Sequence, residues 1–286
     1  MAGAASQIHP QTRSRGRAFF LPREHGAWGM LLVPLVTGAV AGHPSGERII
    51  WIFIFAAVAL GLFCLRTPVE AGLEISALRP QNDAERRLIH YSIYCYASFV
   101  VLPLAVLILW ARAYGLLLLG AAAAIVFLLQ AILKQLGRET RMNAQMTGAI
   151  ALSSTSAGAY YLATGHFGLA GAIIWVVNWL FATDQIHFVQ LRIHSARAMT
   201  TLGKFLEGKS FLVHQAVTLF LLGLIWRAGW LPGFILAAFG PLWVRGFAWF
   251  LESPRPFRVH RLGASELLYA IIFGIFFIVG YHPWNG

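Results

Sequence analysis

The chain has 286 residues, of which 58% are hydrophobic and only 12% are charged, whereas a soluble domain carries about 25% charged residues. Apolar runs close to the ~20 residues that a bilayer-spanning helix needs recur along the whole length, so a soluble globular protein is excluded. The formal net charge of +11 does not indicate nucleic acid binding, because no basic face with interleaved aromatic residues accompanies it. The sequence therefore predicts an all-α, polytopic membrane helical bundle with no nucleic acid partner.

The N-terminal region divides into a tail and a charged helix start. Residues 1–20 are basic and polar and are predicted to form a disordered cytoplasmic tail, followed by a single transmembrane bundle domain over residues 21–286. Both cysteines lie inside apolar runs, so neither a disulfide framework nor a zinc site is predicted.

The stretch FLPREHGAWGM, residues 20–30, places three ionisable residues at the mouth of the first apolar run. Pro22 suits the first turn of a helix, and the free N–H groups of a helix N-terminus receive anions. Arg23 is therefore predicted to bind a phosphate, and His25 is predicted to be a catalytic acid or base. Two alternatives stay open: a plain helix start, or a signal peptide that ends near Ala39-Val40-Ala41.

Nine transmembrane spans are predicted, with Lys and Arg concentrated in alternate segments between them. By the positive-inside rule the N-terminus lies in the cytoplasm and the C-terminus outside. Counting Lys and Arg between the predicted spans in this way assigns Lys204 and Arg245 to cytoplasmic loops. All acids except Glu47 fall on the same side, which the rule does not require. The predicted spans are Ala27–Ala41, Ile49–Leu65, Tyr91–Trp110, Tyr114–Leu133, Met146–Leu162, Phe167–Phe188, Phe211–Trp226, Leu231–Phe250 and Leu267–Tyr281.

A pair of carboxylates follows the second span. Glu70 and Glu74 are four residues apart, so on a helix they share one face, where like charges repel. A shared Mg²⁺ that in turn holds a phosphate would relieve the repulsion, and both residues are predicted metal ligands. The alternative is a solvated loop face with local Arg partners.

Polar residues also interrupt the sixth span and its exit. Asn178 and Asp184 fall within or at the edge of hydrocarbon, where a functional role is the default hypothesis. Asp184 is predicted to bind the metal and His187 to be a second acid or base, while Asn178 and Arg192 are predicted to bind the ligand. The alternative is an interfacial turn neutralised by neighbouring Arg.

A basic segment follows the fourth span. Three cations stand within eight residues, Lys134, Arg138 and Arg141, and amide side chains such as Asn143 come next. Arg presents a planar fork suited to phosphate or carboxylate, so Lys134, Arg138 and Arg141 are predicted to bind phosphate. Ordinary positive-inside charge is the alternative.

The pattern resembles the UbiA-type intramembrane prenyltransferases, which carry acidic motifs after the second and sixth helices. The first motif, Asn-Asp-x-x-Asp-x-x-x-Asp, would fall on Arg66-Thr67-x-x-Glu70-x-x-x-Glu74, and the second on Asp184, His187 and Leu191. The resemblance implies Mg²⁺ and an isoprenoid, or another membrane lipid with a diphosphate-like anionic head, bound at the cytoplasmic mouth. It also implies that Asn143, which matches an Asn of that family, binds the phosphate. Arg66-Thr67 and Leu191 stand where that family has Asn, Asp and Asp. Prenyl diphosphate ionisation needs several metal-holding carboxylates, and about half are replaced here.

The opening LPREHGAW, residues 21–28, is similar to the N-terminal signature of the YwiC-like family of bacterial membrane proteins. This resemblance implies a multi-pass protein of the bacterial inner membrane, and it informs the fold more than the activity. Catalysis and protein partners stay open. Two other functions are also considered: a small-solute transporter, for which the sequence shows no clear internal repeat, and a non-catalytic assembly partner of a membrane complex.

Overall fold

The computed structural model describes residues 25–75, 79–137, 139–194, 200–252 and 259–281. Within these ranges the chain forms nine α-helices and no strand, which confirms the all-α prediction. A 3₁₀ turn at Gly233–Ile235 precedes the eighth helix. The helices are α1 His25–Ala41, α2 Glu47–Gly72, α3 Asp83–Leu109, α4 Gly115–Gln135, α5 Arg141–Thr164, α6 Leu169–His194, α7 Thr201–Arg227, α8 Leu236–Leu251 and α9 Val259–Tyr281.

Seven of the described helices are long and apolar enough to cross a membrane: α2, α3, α4, α6, α7, α8 with its preceding 3₁₀ turn, and α9. The protein is therefore of the multi-pass membrane type. Helix α1 is apolar but shorter. Helix α5, predicted as the fifth span, is long enough but has a lower mean hydropathy than these seven helices. Each of the nine predicted spans therefore corresponds to a described helix, and seven of those helices are both long and apolar enough to cross a membrane.

Helix α5 is less apolar because other helices surround it. It packs against α1, α4 and α6, and Ser153 and Ser156 are completely buried. Their hydroxyls donate to backbone carbonyls of the preceding turn, while Thr155 donates to the Leu31 carbonyl of α1 at 3.1 Å. A helix shielded from lipid by neighbours does not need apolar side chains all round, because its polar groups find partners inside the protein.

The chain divides into two compact units. The first contains Phe53–Arg112, which is most of α2 together with α3. Inside it, Gly61 lets the α2 backbone approach α3, since a Cβ there would meet Val100 at 2.7 Å. Asn82 caps α3 by accepting a hydrogen bond from the Glu85 N–H at 2.8 Å.

The second unit contains Glu24–Ile52 and Ala113–Gly286, and therefore α1, the start of α2, and α4 to α9. Its core lies between α6, α8 and α9, where Phe181 and Phe273 stack with ring centroids 4.1 Å apart. Large side chains with less than 2% exposure fill this core: Ile174, Phe181, Leu222, Leu231, Ile235, Phe239, Leu242, Phe273 and Phe277.

Glycines bring α1 close to two neighbours in the second unit. A Cβ on Gly38 would overlap the backbone of Ser156 in α5, and one on Gly29 would lie 2.9 Å from the Cβ of Ala270 in α9. Close approach through small residues is the usual way in which membrane helices pack. This packing sets the first turn of α1 beside α9, with a Gly26 Cβ position 3.9 Å from the Cβ of Glu266.

Candidate functional site

A buried cluster of three charged side chains lies in the second unit. The Arg245 Nη1 of α8 donates to both carboxylate oxygens of Glu266 in α9 at 2.7 Å each. Its Nη2 lies 3.5 Å from Oδ2 of Asp184 in α6. The three side chains are between 1% and 7% exposed. Two carboxylates and one guanidinium therefore share a nearly closed environment.

Two glutamine side chains extend the cluster. The Gln215 Nε2 of α7 donates to Asp184 Oδ1, and Gln185 Nε2 donates to the Glu266 backbone carbonyl at 3.0 Å. Both glutamines are at most 2% exposed. Neither amide oxygen has a hydrogen-bond partner among the described protein atoms. The Nε of Arg245 and the indole Nε1 of Trp243 share this property.

Aromatic rings enclose the guanidinium. The Arg245 Cζ lies 4.0 Å from the ring centroid of Phe188 and 4.5 Å from that of Tyr269. Cation–π contacts of this kind strengthen when water is excluded. One turn beyond Asp184, the His187 ring stacks on His214 of α7 with centroids 3.9 Å apart. The cluster is thus fixed from four helices, α6 to α9.

The depth of the cluster makes it unusual. Each of α6 to α9 is apolar enough to cross a membrane, and the three charged residues lie roughly two to three helical turns inside their helix ends. Ionisable groups at such positions are rare and mark ion or substrate pathways. Replacing a buried ion pair by apolar residues is often neutral or stabilising, so a contribution to stability does not by itself account for three charged side chains at these positions.

Polar contacts also gather at one end of the second unit, which we name the basic end. There α4, α6 and α8 end while α5, α7 and α9 begin. Lys204 is 5% exposed, and its Nζ donates to the Trp249 carbonyl at 3.0 Å and to the Glu252 carbonyl. Arg192 lies 3.8 Å from the Glu252 carboxylate. These contacts join the end of α8 to α6 and to α7.

The predicted residues fall in different places. Asp184 lies in the buried cluster, and His187 stacks on His214 next to it. Asn178 is completely buried; its Oδ1 accepts from the Thr37 hydroxyl at 3.1 Å and its Nδ2 donates to the Ile174 carbonyl at 2.9 Å. Internal hydrogen bonds therefore engage Asn178 within the second unit.

The predicted metal ligands each have a basic or amide neighbour. Glu70 accepts from Arg66 at 2.7 Å, and Glu74 lies 3.9 Å from Arg86. Both glutamates belong to the first unit, while Asp184 belongs to the second. Among the described residues, no three of His, Cys, Asp and Glu form a group able to hold a metal ion. The Mg²⁺ assignment stays a prediction.

The predicted phosphate-binding residues are only partly described. Lys134 stands in the last turn of α4, Arg141 and Asn143 are exposed in the first turn of α5, and Arg192 belongs to the basic end. Arg23, Arg138 and the side chain of His25 lie outside the described residues. All of the described members belong to the second unit.

Sequence reasoning missed most of the cluster. Arg245 and Lys204 were assigned to cytoplasmic loops, but both lie in helices and are buried. A signal was available for Arg245, because it falls inside the predicted span Leu231–Phe250. Its pairing with Glu266 joins positions 21 residues apart and becomes visible only when α8 and α9 pack together.

Residues 21–161 match the family model described as YwiC-like protein. Over that segment, which is just under half of its length, this chain is similar to the YwiC-like family. The YwiC-like match begins at the predicted signature and covers α1 to most of α5, so Asp184, Arg245 and Glu266 lie beyond it. Within the match, Gly26 of the signature lies near Glu266, because a Cβ added to Gly26 would be 3.9 Å from the Glu266 Cβ. No curated protein and no solved structure matches the chain, and the UbiA-like architecture therefore stays a prediction.

Proposed function

We propose that this protein is a membrane carrier for a small polar solute and that the cluster of Asp184, Arg245 and Glu266 is its binding centre. The observation that carries the proposal is the burial of three charged side chains between four helices that are apolar enough to cross a membrane. Transporters also place their solute and ion sites between membrane helices.

The cluster has more carboxylates than cations, and this unequal number supports a binding role over a structural one. A structural ion pair is most favourable when each charge has one opposite partner and all remaining polar atoms are bonded. Here two carboxylates share one guanidinium, and four buried polar atoms have no partner among the described residues. Such atoms are the groups that a bound solute or water would engage.

An exchange assay tests the carrier proposal. The full chain is reconstituted in proteoliposomes that are loaded with a mixture of isotopically labelled small metabolites. External unlabelled mixture is added, and the compounds that leave are identified by mass spectrometry. We expect one class of compound to exchange with wild type and not with Asp184→Asn, while Glu207→Gln, an exposed α7 position, exchanges normally. Exchange equal to that of empty liposomes for every compound would refute the proposal.

A second candidate function is binding of a lipid with an anionic, diphosphate-like head, with or without Mg²⁺. The observation that favours it is the basic end, where the described residues Lys134, Arg141, Asn143 and Arg192 belong to adjoining helix ends. Native mass spectra with a prenyl diphosphate, with and without Mg²⁺, test it. A retained adduct that Arg141→Gln weakens would support it, and Glu70→Gln tests the metal. A bare protein mass in both spectra would refute it.

For orientation we propose that the basic end and the N-terminus face the cytoplasm of a bacterial inner membrane. The buried position of Arg245 removes one charge from the predicted cytoplasmic loops, yet the alternation of basic segments persists. Reporter fusions at the two termini test the orientation. A reporter active in the cytoplasm at the C-terminus would overturn it.

A further inference from the structure

Asp184 is the acid of the cluster that has the longer contact with Arg245. Arg245 gives both of its short hydrogen bonds to Glu266, at 2.7 Å, so those two groups form a complete pair. Its contact with Asp184 is 3.5 Å, at the outer limit for a hydrogen bond. Two carboxylates and one guanidinium sum to a formal charge of about −1 in an environment where uncompensated charge is costly.

Two buried amide oxygens, of Gln185 and Gln215, are further acceptors without a hydrogen-bond donor among the described protein atoms. The amide nitrogen of Gln215 donates to Asp184, and that of Gln185 donates to the Glu266 carbonyl. Since both acceptors are oxygens, each amide must present its nitrogen to them and its oxygen elsewhere. Within one amide the oxygen lies about 2.2 Å from the nitrogen. The Gln215 oxygen therefore lies beside the Asp184 carboxylate, and it has no partner among the described protein atoms.

The charge and the acceptors together define the class of ligand. An anion would be repelled by the net negative charge of the cluster. The unpaired donors, Nε of Arg245 and Nε1 of Trp243, do not require an anion, because each needs only one acceptor and a water molecule supplies it. A divalent cation prefers several carboxylates, and the described residues contain no group of three metal-binding side chains. One positive charge balances the cluster.

We infer that the Asp184 side of the cluster binds one small monovalent cation, held by the Asp184 carboxylate and by the amide oxygen of Gln215. Na⁺, K⁺ and ammonium share the required chemistry, which is a single positive charge that oxygen atoms can surround. The inference rests on the proposed function in one respect: the cation is the carrier's solute or the ion that drives it.

Cation binding is measured on the purified full chain in detergent, prepared in N-methyl-D-glucamine chloride. NaCl, KCl and NH₄Cl are titrated at constant ionic strength while thermal unfolding is followed, and equilibrium binding of radiolabelled Na⁺ or Rb⁺ is measured in parallel. We expect one of the three cations to raise the unfolding midpoint saturably. Asp184→Asn and Gln215→Met should each weaken apparent affinity by roughly tenfold to a hundredfold, while Glu207→Gln leaves it unchanged.

Each contrary outcome is informative. The inference is overturned if none of the three cations acts saturably, if only MgCl₂ or CaCl₂ does, or if Asp184→Asn responds like wild type. Should Asp184→Asn fail to fold, Gln215→Met carries the same test, because Met keeps the length of Gln without its amide. Cation binding without exchange in proteoliposomes would refute the carrier proposal alone, and exchange without cation binding would refute this inference alone.

Discussion

Replacement of Arg245 by methionine removes the only cation that touches both acids of the cluster within the described residues. The guanidinium is 7% exposed, bonds both oxygens of Glu266 and lies between two aromatic rings. Methionine retains much of the side-chain length and packs well against aromatic rings. The main consequence is therefore electrostatic, because two carboxylates remain buried with no guanidinium.

The expected cost can be bounded from known behaviour. Removing one partner of a buried ion pair costs about 3–5 kcal/mol, since it leaves an uncompensated buried charge. Loss of the cation–π contacts adds roughly 0.5–2 kcal/mol, and methionine packing offsets part of that. We expect Arg245→Met to lower the free energy of unfolding by at least about 3 kcal/mol.

Reversible unfolding in mixed dodecyl sulfate and mild-detergent micelles measures this loss. Arg227→Met is the matched control, because Arg227 is exposed in the last turn of α7 and should cost less than about 1 kcal/mol. Adding Glu266→Gln to Arg245→Met removes one of the two stranded charges. The double variant should therefore be more stable than Arg245→Met alone, with a coupling energy of about 0.5–3 kcal/mol.

Two results would refute the electrostatic reasoning. The first is a cost for Arg245→Met that is no larger than that for Arg227→Met. The second is a double variant whose loss equals the sum of the single losses, since independent residues would give that sum.

Three further predictions concern packing and capping. Gly38→Ala should lower the free energy of unfolding by about 1–3 kcal/mol, because the added Cβ would overlap the Ser156 backbone. The control Gly120→Ala adds a Cβ that has no atom within 4 Å, so it should raise the free energy of unfolding by about 0.5–1 kcal/mol. Equal effects of the two substitutions would contradict the α1–α5 contact. Thr155→Val should cost about 1 kcal/mol in the same assay by removing the hydroxyl that bonds α1, and no loss would argue against that bond. Asn82→Ala should lower stability by about 1 kcal/mol through loss of the α3 cap, as thermal unfolding would show; an unchanged midpoint would mean that the cap is not formed.

Hydropathy predicted the helices well because most of them are long apolar segments. The sixth predicted span, Phe167–Phe188, corresponds to α6, Leu169–His194, which continues past the apolar run. Backbone hydrogen bonding continues a helix after its side chains become polar, so hydropathy locates the apolar core of a span better than its ends. Helix α5 shows the converse, since its small hydroxyl side chains are buried by neighbours that the sequence alone does not reveal.

The candidate site was only partly predictable. Asp184 was singled out because an acid within a hydrophobic run is costly, and the structure places it in the buried cluster. Glu266 stands one position before the predicted span Leu267–Tyr281 and therefore resembled a loop acid. Gln185 and Gln215 are uncharged, and their place beside the acids depends on how α6, α7 and α9 pack.

The most direct test of the central claim removes the whole cluster. The variant that combines Asp184→Leu, Arg245→Met and Glu266→Leu replaces the buried charges by apolar side chains, which is often neutral or stabilising for a structural ion pair. We predict a protein that folds with an unfolding midpoint at or above that of wild type but neither exchanges solute in proteoliposomes nor responds to monovalent cations. Wild-type exchange by the folded triple variant would contradict the claim that this cluster is the functional centre.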